Sequence, residues 1–239
     1  MRVFISGQKH FGAMVFNLCK TMGLDIAGVS APAFASDGKR EDSLRAVARN
    51  AGIPWMPAGT LKADTLPDDI DLIIAAHSHD FIGTRTRLKA RLGAIGYHPS
   101  LLPLHRGRDA VRWAIKMGDR ITGGSIYWLT DNVDAGPIAA QDWCFIRPDD
   151  TPEELWRRDL CPMGVRLFQH VLDDLIGGVL VQIKQDEKLA TWEPAFDREP
   201  LYRPDLLMIG NGKVSNYRVT MDPEKRKTGN GVKGYSVGV

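Results

Sequence analysis

D-L-I-I-A-A, residues 71–76, is the run on which the reading of the fold turns. It is short, continuous and apolar, as a strand buried on both faces of a sheet must be. Downstream, a basic segment at 84–91 reads as a helix, and G-A-I-G-Y at 93–97 reads as another strand, ending one residue before His98. Upstream, V-F-I-S at 3–6 is a buried strand stopped by Gly7. Residues 11–22 place Val15, Leu18, Cys19 and Met22 at helical spacing. D-I-A-G-V-S at 25–30 is a further strand, and 41–50 is a helix that ends before Gly52 and Pro54. Strands alternating with helices predict an α/β fold with a doubly wound, mostly parallel sheet. Such sheets bind ligands beyond the carboxyl ends of their strands, which is where His98 stands.

The second half changes character. Residues 109–117 read as a helix, and 122–130 and 138–145 as a strand pair joined by D-N-V-D-A-G-P. Thr151-Pro152-Glu153-Glu154 has the form of a helix start, with a Thr cap, Pro at the first position and Glu three residues after the cap. That helix reaches 175 or 176 if Pro162 only bends or splits it. Gly177-Gly178 end it, and 179–183 read as a short strand. Beyond 200 the apolar periodicity fades. The division is therefore a main domain at 1–205 and a short C-terminal extension, a tail or small hairpin, at 206–239. Its Lys225-Arg226-Lys227 cluster reads as a solvated face, with a clamp for a phosphorylated substrate as the sharper alternative.

Composition sets the outer limits. A chain of 239 residues can bury a substantial core, and 44% hydrophobic with 25% charged residues is ordinary for a soluble protein. A net charge of +2 gives no argument for nucleic acid or membrane binding. Cys19, Cys144 and Cys161 form no disulfide framework, which fits a reducing compartment, and the start is not a signal peptide. With no apolar run near the roughly 20 residues of a spanning helix, a cytoplasmic protein is expected.

Several motifs compete for the chemistry. S-G-Q-K-H-F-G at 6–12 lacks the Lys and Ser or Thr of a phosphate loop and reads as a strand-to-helix turn. His77-Ser78-His79-Asp80 invites a metal, but alternate residues of an extended segment face opposite ways, so a loop at the mouth of a cleft is expected and no metal site. His98 and Asp134 are the stronger pair. Each sits at the end of a predicted strand, and an imidazole beside a carboxylate suits acid–base work at neutral pH. Pro99 and Pro103 stiffen the segment after His98, while Arg106, Arg108 and Arg112 offer contacts for an anionic substrate.

The spelling Y-H-P-S-L-L-P-L-H-R-G at 97–107, then Gly118-Asp119, T-G-G-S-I at 122–126 and D-A-G at 134–136, resembles the 10-formyltetrahydrofolate-dependent formyltransferases. Within that family it looks most like the N-terminal hydrolase domain of 10-formyltetrahydrofolate dehydrogenase, over residues 1–205. The resemblance implies a Rossmann-like catalytic domain that uses 10-formyltetrahydrofolate. It implies catalytic roles for His98 and Asp134, with Gly96 at the position where the family's Asn-x-His motif has asparagine. It also implies a folate slot formed by Phe81, Ile82, Asn132, Val133 and Asp134, and an acceptor contacting Ser100, Arg106 and Arg108. His98 would hydrogen-bond a developing oxyanion, and Asp134 would orient the imidazole and relay a proton. The acceptor expected is a small amine, an amino sugar or a phosphorylated metabolite. Water, making the protein a hydrolase, and a folate-binding module without chemistry are the alternatives. Membrane is not an expected partner and nucleic acid is disfavoured, while a homodimer stays open.

Overall fold

The run at 71–76 becomes strand Leu72–Ala76, buried at every residue, in the interior of a seven-stranded sheet. In chain order the strands are β1 (Arg2–Gly7), β2 (Asp25–Ala31), β3 (Trp55–Pro57), β4 (Leu72–Ala76), β5 (Ala94–His98), β6 (Ile121–Trp128) and β7 (Ile138–Phe145). Their order across the sheet is β3-β2-β1-β4-β5-β6-β7. The first five are mutually parallel; β6 runs antiparallel to β5, and β7 to β6. The direction therefore changes beside β5, the strand that ends in His98. The helices are α1 (Lys9–Thr21), α2 (Ser43–Asn50), α3 (Thr84–Lys89), α4 (Ala110–Met117), α5 (Pro152–Leu155) and α6 (Cys161–Ile176).

The computed structural model describes residues 1–196 and, beyond them, four two-residue strands. Two units are distinguished, Met1–Glu193 and Pro194–Val239. In the second unit Met208–Ile209 pairs with Lys213–Val214 and Arg218–Val219 with Tyr235–Ser236, both antiparallel. The expected boundary at 205 and the basic cluster at 225–227 lie outside the described residues.

Strand alternation divides the core between two faces. Val3, Ile5, Leu72, Ile74 and Ile95 point to one side and pack with Phe11 and Phe16 of α1 and Leu167 and Phe168 of α6. Phe4, Ile73, Ala75 and Ala94 point to the other and pack with Leu61, Leu66, Ile70 and Ile82. By the same alternation Gly96 and His98 share the second face.

The helix at 151–176 forms around its proline. Thr151 Oγ1 accepts from the Glu154 amide at 3.2 Å while Glu154 Oε2 accepts from the Thr151 amide at 3.0 Å, closing the expected capping box. A π-helical turn, Trp156–Leu160, joins α5 to α6. It contains Arg158, four residues before Pro162, whose carbonyl a regular helix would drive against the proline ring, so the wider turn relieves that clash.

Three expectations change. β3 was not expected; at three residues it is too short to show a period. His98 belongs to β5 itself, paired across to Ser125. Residues 179–183 make no strand: a single bridge joins Ile183 to Ile138, and Val179, Leu180 and Ile183 are more than half exposed. No helix among the described residues is long and apolar enough to cross a membrane.

Candidate active site

His98 ends β5 with its ring buried and held at one nitrogen. Nε2 lies 2.7 Å from the carbonyl oxygen of His105. A carbonyl only accepts, so Nε2 carries the proton and Nδ1 is the nitrogen left for other work. Nδ1 faces Asp134 Oδ2 at 3.6 Å, too long for a direct hydrogen bond. The two groups that the sequence pairs stand side by side, and the ring's direct hydrogen bond is to the His105 carbonyl rather than to Asp134.

Asp134 is fixed independently. Oδ2 accepts from the Gly107 amide at 2.7 Å and Oδ1 from the Tyr127 hydroxyl at 2.6 Å. Its backbone carbonyl accepts from Gln185 Nε2 at 2.9 Å. Its φ of +52° is left-handed, a conformation that needs such support in a residue with a Cβ. Gly96 lies opposite Tyr127 in the β5–β6 ladder. A Cβ at 96 would meet Leu129 Cδ1 at 3.0 Å and Tyr127 Cε1 at 3.4 Å. The room that an asparagine would take is thus already lined by two side chains of β6 and its extension.

The segment after His98 is a clasped loop. Ser100 is fully buried; its hydroxyl donates to the Leu104 carbonyl at 2.6 Å and its own carbonyl accepts from Ser125 Oγ at 2.7 Å. The Leu102–Pro103 peptide is cis, and Gln141 Nε2 donates to the Leu102 carbonyl. Ser100, expected at the substrate, is therefore part of the mount under His98. Arg106 is likewise placed inside rather than toward a substrate. Its guanidinium forks onto Glu187, with Nη1–Oε2 at 2.7 Å and Nη2–Oε1 at 2.8 Å, and also donates to Gln185. Buried to 4% exposure, it fastens a strap of residues 185–193 against the loop. Arg108 is exposed.

His105 joins the same brace. Nε2 bonds Asp119 Oδ2 at 2.7 Å, and Nδ1 lies 3.2 Å from Glu193 Oε2, off the hydrogen-bonding direction. Burial works against charge on this ring, but the Glu193 and Asp119 carboxylates outweigh it and raise its pKa above the ordinary 6.5.

The two loops expected to hold a flat ligand are joined to each other. Arg87 of α3 donates to the Ile82 and Thr130 carbonyls, both at 3.2 Å, and to Asp131 Oδ1 at 3.0 Å. Thr84 also bonds Asp131. Across this junction Phe81 is 85% exposed, and Val133 and Asn132 are exposed too, whereas Ile82 is buried beside Leu129 in the core. Asp80 fastens the start of the first loop: it accepts from Ser6 and Ser30 hydroxyls at 2.6 and 2.5 Å and from the Gly59 amide at 2.6 Å. A carboxylate occupied in this way has a structural task, and the loop reading of 77–80 stands. Tyr127, Arg87, Gln185 and Glu193 support the candidate site through long-range contacts that carry no signal in the sequence. Nothing in the basic segment at 84–91 distinguishes Arg87 from its neighbours.

Fold and site together define an α/β domain with an imidazole–carboxylate pair at the carboxyl end of the strand where a parallel sheet turns antiparallel. A family model described as formyl transferase matches residues 1–162. The chain belongs to the formyl transferase family. It is 31% identical over 210 residues to the mitochondrial 10-formyltetrahydrofolate dehydrogenase of Homo sapiens, covering 83% of this chain and 22% of that protein. It is 29% identical to the methionyl-tRNA formyltransferase of Lactobacillus delbrueckii subsp. bulgaricus, covering 82% and 65%. Among solved structures, an N-formyltransferase from Helicobacter canadensis, in complex with folinic acid and dTDP-3-aminofucose, superposes with a TM-score of 0.67 at 17% identity, covering 82% of this chain and 72% of that one. The chain spans less than a quarter of the length of the dehydrogenases it matches.

Proposed function

We propose that this protein transfers the formyl group of 10-formyltetrahydrofolate to a small amine acceptor, such as an amino sugar or a phosphorylated metabolite, in the cytoplasm. The observation that carries the reading is the His98–Asp134 pair: one imidazole nitrogen is anchored, and the other faces a fixed carboxylate across 3.6 Å. The folate supplies the electrophilic formyl carbon. His98 keeps its Nε2 proton on the His105 carbonyl, so stabilising the formyl oxygen takes a second proton: as an imidazolium the ring donates from Nδ1–H to that oxygen as negative charge grows there. Asp134 faces the same space and takes the proton that the attacking nucleophile sheds, directly or through water; as the bond from the formyl carbon to the folate nitrogen breaks, that proton passes on to the nitrogen, and tetrahydrofolate leaves. Because Gly96 has no side chain, a water or a backbone amide takes the place of the donor that asparagine would provide.

The residues at the linked loops suit a pteridine. Apolar Phe81 and Val133 flank the junction that Arg87 ties together, Ile82 backs it, and the backbone at 132–134 offers polar groups beside Asp134. Arg108 is the exposed cation of the expected acceptor set. Three free cysteines among the described residues fit a reducing compartment.

Water is the second acceptor to weigh, favoured by the 30–32% identity to 10-formyltetrahydrofolate dehydrogenases. The test is an assay of purified protein with 10-formyltetrahydrofolate, with and without amines. Amine-dependent formyl loss is the expected result. Formyl loss that ignores amines makes the protein a hydrolase, and binding without turnover reduces it to a folate-binding module.

A further inference from the structure

We infer that Tyr127 is a positioning residue of this site, holding Asp134 by its hydroxyl from the room beside Gly96. The inference rests on the reading of His98 and Asp134 as the reacting pair. Tyr127 and Gly96 face each other across the antiparallel ladder. The Tyr127 ring lies 3.4 Å from where a Cβ at 96 would stand, and from there its hydroxyl reaches Asp134 Oδ1 at 2.6 Å. A small residue at 96 and a hydroxyl-bearing ring at 127 are therefore two halves of one arrangement.

The direction of the hydrogen bond is fixed. Burial, reinforced by the Asp134 charge, pushes the Tyr127 phenol well above its ordinary 10, so it stays protonated and donates to the carboxylate. Together with the Gly107 amide on Oδ2, it sets the plane of the carboxylate from two separate elements, β6 and the clasped loop. Asp134 is thus met by His98 from β5, Tyr127 from β6 and the Gly107 amide, and only the face toward His98 lacks a direct hydrogen bond among these. A donor to a charged acceptor is stronger than a neutral one, so losing it frees the carboxylate to rotate away from Nδ1. A ring that merely filled space would leave Asp134 indifferent to the hydroxyl.

Tyr127→Phe separates the two roles, because the ring stays and the donor goes. Turnover of 10-formyltetrahydrofolate is measured for both proteins across pH, with circular dichroism and Tm as checks on the fold. The expected result is a fall in kcat of about ten- to hundredfold with KM within about twofold. A kcat within about threefold of the parent overturns the inference. If the parent shows no turnover with any acceptor, the proposed function fails by itself. The inference is then read from the Asp134 carboxyl carbon-13 resonance at one pH: a displaced resonance in Tyr127→Phe supports it, and an unchanged one overturns it.

Discussion

His98 and His105 lie seven residues apart on one clasped segment, and the protein uses them in opposite ways. His98 has one ring nitrogen bonded to a backbone carbonyl and the other facing a carboxylate that is too far for a hydrogen bond. His105 has a carboxylate at each nitrogen, Asp119 on one side and Glu193 on the other. Both rings are buried. The difference is in the spacing: the His105 nitrogens stand 2.7 and 3.2 Å from their carboxylates, whereas Nδ1 of His98 faces Asp134 across a gap of 3.6 Å. The proposed chemistry depends on that gap, and the brace around His105, Arg106 and the 185–193 strap supports the segment that borders it.

The sharpest way to break the comparison is to remove each member of the open pair. His98→Ala and Asp134→Ala are each expected to lower turnover by about 10²–10⁴, the usual range for a lost acid–base group. Steady-state kinetics on protein with a parental circular dichroism spectrum is the measurement. Near-parental turnover in either variant would mean that the gap is incidental. His105→Gln should behave differently, since His98 is held by the backbone carbonyl of His105, which the substitution keeps. Its turnover at low temperature should stay within about tenfold of the parent.

The loss in His105→Gln appears in stability instead. Removing the ring leaves the buried Glu193 carboxylate and the partly exposed Asp119 without their cation. Breaking a buried pair costs about 3–5 kcal/mol, and because Asp119 is a third exposed the expectation is about 2–3 kcal/mol by urea unfolding. The pH dependence has a definite sign. The folded pKa of His105 is raised above the ordinary 6.5, so its contribution is fully present below 6.5 and is lost as pH rises through the raised value. The stability difference between parent and variant should therefore be largest near pH 5.5 and shrink as pH rises. A difference that grows with pH would show that His105 is neutral in the folded protein, and the contrast with His98 would lose its electrostatic basis.

Much of the fold could be read from local pattern, because each long strand announces itself by a continuous or alternating apolar run. Leu72–Ala76 is the plainest case. The error at 179–183 has the same origin: an aliphatic run implies burial, but Val179, Leu180 and Ile183 lie beside the edge of the sheet and stay exposed. In the site, His98 and Asp134 were legible because each ends or follows a strand. Their supports were not. Arg106 looks like a surface cation until its partners appear some eighty residues later at Gln185 and Glu187. Tyr127 reads as one more strand aromatic, since only the register with Gly96 and the turn of the chain to Asp134 reveal its hydroxyl's task. Local sequence specifies which groups can react, while the contacts that hold them in place are long-range and carry no periodic signal.

The finest adjustment to the open side of the comparison is Gly96→Asn, which would restore the side chain that the family motif has two residues before the histidine. On sequence grounds alone it supplies a missing oxyanion donor and should raise the rate. The packing argues otherwise. The new Cβ would stand 3.0 Å from Leu129 Cδ1 and 3.4 Å from Tyr127 Cε1, with Ala75 Cβ at 3.6 Å on the third side. Leu129 and Tyr127 are side-chain neighbours and can shift by a few tenths of an ångström, so the protein should fold, at a cost of about 1–2 kcal/mol for overpacking. The shift required of Tyr127 draws its hydroxyl away from Asp134, and turnover is expected to stay level or fall by up to about tenfold. Steady-state kinetics and urea unfolding of the single variant test both halves. A rise in kcat above the parent would show that the room beside His98 is empty in function as well as in sequence, and that the tyrosine across the ladder is only a filler.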